Sequence, residues 1–178
     1  MQNLDELRYP IGKYQKPEII TPNHLQGWIQ TITELPTKLR EALNGLDESQ
    51  IHTPYRPEGW TVHQLVHHIA DSHINAYIRF KLAITEDQPT IKPYKEALWA
   101  ELEDTQQTPV EVSLTLLEAL HQRWSNLLKS MTEAEFAREY MHPEQGKTSR
   151  LDAVLGLYAW HSTHHLEHIL ALKRRNKW

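Results

Sequence analysis

The chain of 178 residues contains no cysteine. Disulfides, thiolate nucleophiles and zinc–thiolate sites are therefore excluded. Any metal must rest on His, Asp or Glu, and any thiol in the chemistry must arrive with a substrate. No apolar stretch approaches the roughly 20 residues of a membrane span, and the opening MQNLDELRYP lacks an apolar signal core. Long basic runs are also missing. The densest cluster, Lys173-Arg174-Arg175, reads as a helix C-terminus where cations oppose the dipole. With a net charge of −4, nothing suggests a nucleic-acid footprint. The expected location is the cytoplasm, with neither nucleic acid nor membrane as partner. With 39% hydrophobic and 24% charged residues, the composition is that of a soluble globular protein. The length suits a single domain spanning 1–178.

Four amphipathic stretches are present. Residues 1–20 carry Pro10, Gly12 and Pro17 and read as an extended arm, with Tyr9, Ile11, Tyr14, Ile19 and Ile20 as packing residues. Thr21-Pro22 then opens a helix as N-cap and first-turn proline. Leu25, Trp28, Ile29, Ile32, Leu35, Leu39 and Leu43 follow at spacings of 3 and 4, with Gly45 as the stop. Pro36 inside this helix should kink it. Residues 49–59 read as loop. Thr61 with Gln64 forms a capping box for a second helix running to about residue 84. Residues 87–95 are loop and 96–103 a short helix. Thr108-Pro109 with Glu111 predicts a third helix, carried by Leu114, Leu117, Leu120, Trp124, Leu127, Leu128 and Met131. Thr132 and Glu135 start a short helical turn. Residues 141–149 read as a turn or small hairpin, and Ser149 with Asp152 should cap a fourth helix over about 150–174. The expected fold is all-α, an antiparallel four-helix bundle with long loops. In such bundles, sites are built from side chains on facing helices.

Histidine is in excess. Eight of the twelve fall in two clusters, residues 63–73 on the second helix and 161–168 on the fourth. His24, His52, His121 and His142 are scattered and read as surface residues. Two ligands on one helix need a spacing of 3 or 4. In AWHSTHHLEHI, the pairs 161/165, 164/168, 161/164 and 165/168 all comply. The apolar phase selects among them. Leu151, Val154, Tyr158, Ile169 and Leu172 mark an inward stripe on which His161 and His165 lie. On a wheel of about 100° per residue, His164 falls roughly 110° and His168 roughly 70° away, so these two read as non-ligands. Two imidazoles in consecutive turns of a core stripe are costly unless each finds a partner, and a metal supplies one for both. On the second helix the phase points to His73, with His67 and His68 well off the apolar centre. A bundle helix touches two neighbours, however, so His68 could face one seam beside Leu65, Ser72 and Ala76. Phase alone leaves this ligand open.

GWTVHQLVHHIADSHINAYIRFKLAI and AWHSTHHLEHI, in that order, resemble the second- and fourth-helix blocks of the DinB-like superfamily, in its YfiT-type branch of metal-dependent hydrolases. YPIGKY, TPYRPEGW and IKPY resemble the same branch, so the likeness covers nearly the whole chain. It implies a first ligand eight residues after the tryptophan that opens the second helix. Here Trp60 leads to His68, and the other two ligands map onto His161 and His165. Many relatives follow the last ligand with a Gly-Gln pair where this chain has Glu167 and His168. The resemblance also implies a homodimer.

Three neutral imidazoles would leave at least one coordination position open, as in catalytic zinc sites. Imidazole also suits Ni, Cu and Fe, and zinc is the conservative expectation. A water held there could ionise near neutral pH, giving a hydrolase. The resemblance implies a second reaction, S-transfer from a low-molecular-weight thiol of the bacillithiol type to an electrophilic small molecule. A third reading is a non-catalytic stress-response protein whose metal only staples the bundle. Tyr55, Arg56, Trp60, Asn75, Arg79 and Tyr158 are candidates to bind a small-molecule substrate, with ordinary packing as the competing role. Asp71 and Glu167 are candidates to accept the other ring N–H of a ligand. No general base is evident.

Overall fold

The structure, a computed structural model, describes residues 4–178. Its elements are α1 (Leu4–Arg8), α2 (Pro22–Leu43), α3 (Glu48–Ile51), α4 (Val62–Thr85), α5 (Glu96–Trp99), α6 (Glu103–Gln107), α7 (Val110–Ser130), α8 (Glu133–Phe136), β1 (Glu139–His142), β2 (Lys147–Arg150) and α9 (Leu151–Asn176). The four long helices α2, α4, α7 and α9 form the expected four-helix bundle. Each buries the stripe its spacing marked: Ile32, Leu35 and Leu39 on α2, Leu65, Ile69 and Phe80 on α4, Leu117, Trp124 and Leu128 on α7, Leu151, Leu155 and Ile169 on α9.

Neighbouring helices are not all antiparallel. Arg40 reaches Glu111 and Glu118, and Thr33 reaches Ser125, so α2 and α7 run antiparallel. His68 meets His161, and Ser72 meets Tyr158, so α4 and α9 are antiparallel too. Lys173 near the end of α9 donates to Ala42 O at the end of α2, and Gly156 near the start of α9 lies against Trp28, so these two helices run parallel. The contacts His67–Ser113 and His73–His121 make α4 and α7 parallel as well. A parallel neighbour needs a connection that returns along the bundle, about 36 Å for a helix of 24 residues. The long segment between α4 and α7, holding α5 and α6, makes that return.

Local rules succeed at some ends and fail at others. Thr21 and Thr61 cap α2 and α4 in reciprocal boxes, and His24, expected on the surface, is the box partner of Thr21. Thr108 does not open α7. It closes α6, and its carbonyl accepts from His63 and His67, so Pro109 stands as an uncapped N-terminus. Ser149 belongs to β2, and Arg150, not Ser149, precedes α9. A helix of one turn, α3, interrupts the expected loop at 49–59, and in place of one short helix over 96–103 there are two, α5 and α6. The anticipated hairpin is β1–β2, and Ile91 and Pro89 of the loop before α5 bond to Met141 of β1. The N-terminal arm is not wholly extended, since Leu4–Arg8 is helical; residues 1–3 lie outside the described residues. The arm packs on α9, where Trp160 Nε1 donates to Gly12 O and Tyr14 OH to Ala153 O.

Gly156 sits inside α9, where glycine costs about 1 kcal/mol relative to alanine. An added Cβ would meet Tyr14 OH at 2.7 Å and the Trp28 ring at 2.9 Å. Close approach of arm and α2 to α9 therefore accounts for the residue. Gly156→Ala is expected to lower stability by about 1–3 kcal/mol through overpacking, despite the better helix propensity. A urea titration reads this, and an unchanged or raised midpoint would contradict it.

Candidate metal centre

Helix α4 is enclosed on two flanks, by α6 and α7 on one and α9 on the other, so all four of its histidines are buried. They face different ways. His63 and His67 turn toward the start of α7. Each donates Nε2–H to Thr108 O, at 3.0 and 2.9 Å, and His67 Nδ1 accepts from Ser113 Oγ at 2.7 Å. His68 turns to the opposite seam and meets α9.

There the Nε2 atoms of His68, His161 and His165 converge. His161 Nε2 lies 3.3 Å from His68 Nε2 and 3.1 Å from His165 Nε2. The three rings offer ligand atoms within 4.8 Å of one another. Nitrogens bound at 2.0–2.1 Å in tetrahedral array stand about 3.3 Å apart, so the donor set fits a zinc-sized cation. Burial holds His68 down to about 4, and burial together with the neighbouring imidazoles pushes His161 and His165 well below the usual histidine range. All three are neutral at pH 7, so each ring keeps one lone pair that a metal could take.

His73, the inward residue by phase, is fully buried but stands one layer behind, its Nε2 3.2 Å from His161 Nδ1. The flanking pair of α9 is more buried than its phase suggests. His164 is stacked on Trp160 and faces Tyr9, while His168 lies on the Tyr55 ring and donates to Arg8 O. The N-terminal arm and the loop before α4 cover this flank, which a helical wheel cannot show. His164, His165 and His168 form a second group able to hold a metal, sharing His165 with the first.

A cavity of about 430 Å³ opens on His68, His161 and His165. Of the substrate-binding candidates, Trp60, Arg79 and Tyr158 line it. Tyr55, Arg56 and Asn75 do not: Tyr55 packs on His168, Arg56 donates to Pro57 O, and Asn75 to Asp71 O. The cavity also takes Glu96 from α5 and Tyr140 and His142 from β1, which sequence reasoning missed. These come from connections far along the chain and carry no periodic signal. Glu167 pairs with Arg174, and Asp71 accepts from Asn75 through its backbone carbonyl; among the described residues neither carboxylate is seen on a ring of the triad. His121, read as a surface residue, is 1% exposed in the core of α7. Its spacing from Leu117 and Trp124, four and three residues, was the available signal.

A four-helix bundle with inward histidines on facing helices, able to hold a metal, defines the class. The chain matches the DinB superfamily over residues 31–169 and belongs to it. It is 53% identical over 175 residues to proteins of Bacillus cereus (strain 03BB102) and Bacillus thuringiensis subsp. konkukian (strain 97-27), covering 98% of this chain and 100% of each relative; both are named provisionally as metal-dependent hydrolases. It is similar to the solved structure of YfiT from Bacillus subtilis, described as a probable metal-dependent hydrolase with an unusual four-helix bundle topology. That likeness has a TM-score of 0.94 and 48% identity, over 97% of this chain and 99% of that one. The mycothiol-dependent maleylpyruvate isomerase shares the fold alone, with a TM-score of 0.60 and 18% identity over 79% of this chain and 60% of that chain. Among the described residues no helix is long and apolar enough to cross a membrane.

The buried imidazoles set a pH dependence. Their folded pKa values lie below the unfolded value of 6.5, at about 4 for His68, His121 and His164. The stability of keeping them neutral is thus complete above about pH 6.5 and is lost as pH falls through the folded values. The thermal midpoint of metal-free protein is expected to drop steadily from pH 6.5 to 4, and a flat profile would contradict this.

Proposed function

We propose that the chain is a metal-dependent hydrolase in which Nε2 of His68, His161 and His165 hold one divalent cation, zinc, with a coordination position open to the cavity. The observation that carries the reading is the convergence of three neutral Nε2 atoms, 3.1–3.3 Å apart where adjacent, at the end of a cavity. The names of the relatives support the same class. When bound, the cation supplies Lewis acidity and a water acidic enough to ionise near neutral pH.

The chain's own residues shape what enters. Trp60, Tyr140 and Tyr158 give the cavity aromatic walls, and among the described residues Arg79 is the only lysine or arginine that lines it. A small molecule with a carbonyl or anionic group near its reactive bond is the substrate class this wall suits. The absence of cysteine means that a thiol reaction, if present, would need a separate thiol substrate.

Three substitutions test the ligands. His68→Ala, His161→Ala and His165→Ala are each expected to lose stoichiometric zinc in elemental analysis, whereas His67→Ala and His164→Ala retain it. Retained metal in any of the first three removes that residue from the set. The zinc-loaded protein is then expected to hydrolyse members of an ester and amide panel. Activity only with a thiol plus an electrophile would move the reaction to S-transfer. Inactivity on every panel, with a large stability loss on chelation, would leave a structural metal.

A further inference from the structure

Pro36 lies in the middle of α2, and the helix continues through it. A proline has no N–H, so the carbonyl four residues back, Ile32 O, is left without its helix donor. Among the described residues, His121 of α7 supplies a replacement, with Nδ1 2.5 Å from Ile32 O. A carbonyl oxygen can only accept, so His121 carries its proton on Nδ1. The ring is buried and its one cation-favouring contact is that carbonyl, so burial keeps it neutral and leaves Nε2 as a lone pair.

The consequence passes along a chain of imidazoles. His73 Nδ1 is 2.9 Å from His121 Nε2, with the two ring planes within 12° of each other. As His121 Nε2 must accept, His73 Nδ1 must donate, which leaves His73 Nε2 as a lone pair. His161 Nδ1 is 3.2 Å from that atom and must donate in turn. His161 is thereby left with its lone pair on Nε2, the atom that faces His68 and His165. Trp124 and Tyr158 pack edge-on against His73 and complete its enclosure.

We propose that His121 and His73 are positioning residues: a relay anchored on the carbonyl that Pro36 frees, which fixes His161 as its Nδ1–H tautomer and aims its Nε2 lone pair into the metal site. The tautomer assignment stands on the histidine contacts alone. Its effect on metal affinity rests on the three-histidine site proposed above. Groups that orient a ligating imidazole through its other nitrogen typically alter metal affinity 10–100-fold when removed.

Long-range 1H–15N correlation NMR of the metal-free, 15N-labelled chain reads ring protonation directly and needs no variant. His121, His73 and His161 are each expected to carry the proton on Nδ1. A proton on Nε2 of His161 or His121 overturns the relay. The second measurement is zinc affinity by chelator competition. His121→Leu is expected to bind about 10–100-fold more weakly than the unsubstituted chain. Leu128→Ala, two turns along the same face of α7, loses stability while keeping its zinc affinity. Equal affinity in His121→Leu and the unsubstituted chain, or an equal fall in both variants, overturns the proposal. If the unsubstituted chain binds no zinc, the three-histidine site fails, and the tautomers alone decide the relay.

Discussion

Each neutral imidazole buried in this bundle carries one N–H and one lone pair, and both lose water when the helices close over them. Much of the interior arrangement follows from finding partners for these atoms. His63 and His67 spend their N–H groups on Thr108 O, which displaces Thr108 from the capping role its neighbours suggest. His121 takes the carbonyl that Pro36 leaves over. His73 bridges His121 to His161. At the end of this sequence, three Nε2 atoms meet with mainly one another for company. A cation is the partner that the proposed site would give all three at once.

The helix order makes that meeting possible. The pairs α2/α9 and α4/α7 run parallel, and α4 meets α9 antiparallel. His68 near the start of α4 thus meets both His161 and His165 of α9, and His73 further along α4 meets His161 from behind. The long connection that the parallel neighbours α4 and α7 require is used a second time, together with the connection from α7 to α9. The segment holding α5 and the hairpin β1–β2 bring Glu96, Tyr140 and His142 over the triad and turn an exposed seam into a walled cavity. Close contact at Gly156 seats α9 on Trp28 and the arm at Tyr14, and so holds the start of the helix that carries His161 and His165.

Much of this was legible in one dimension. The four long helices followed from spacing and caps, and the inward stripe of α9 contained His161 and His165 as its phase required. Pro36 was visible as an anomaly, although its use was not. The failures share a cause. Thr108, Ser149 and His121 were each judged by neighbours along the chain, but each is governed by a contact from elsewhere. Thr108 O is taken by α4, Ser149 is drawn into the hairpin, and His121 answers a carbonyl on α2. His164 and His168 lay off the stripe by angle, yet the arm and the Tyr55 loop bury them.

The amino-acid order by itself determined which segments become helices and that imidazoles replace apolar residues on inward faces. It also removed sulfur from any metal site. Tertiary structure decided which of the four histidines on α4 brings its Nε2 to those of His161 and His165, because helical phase describes one helix against one surface and α4 is buried on two flanks. Phase ranked His73 first, and it is indeed inward. The seam between α4 and α9 nevertheless brings His68 to the level of His161 and His165 and leaves His73 behind them. A ligand set belongs to the space between two helices, and that space exists only when both are placed.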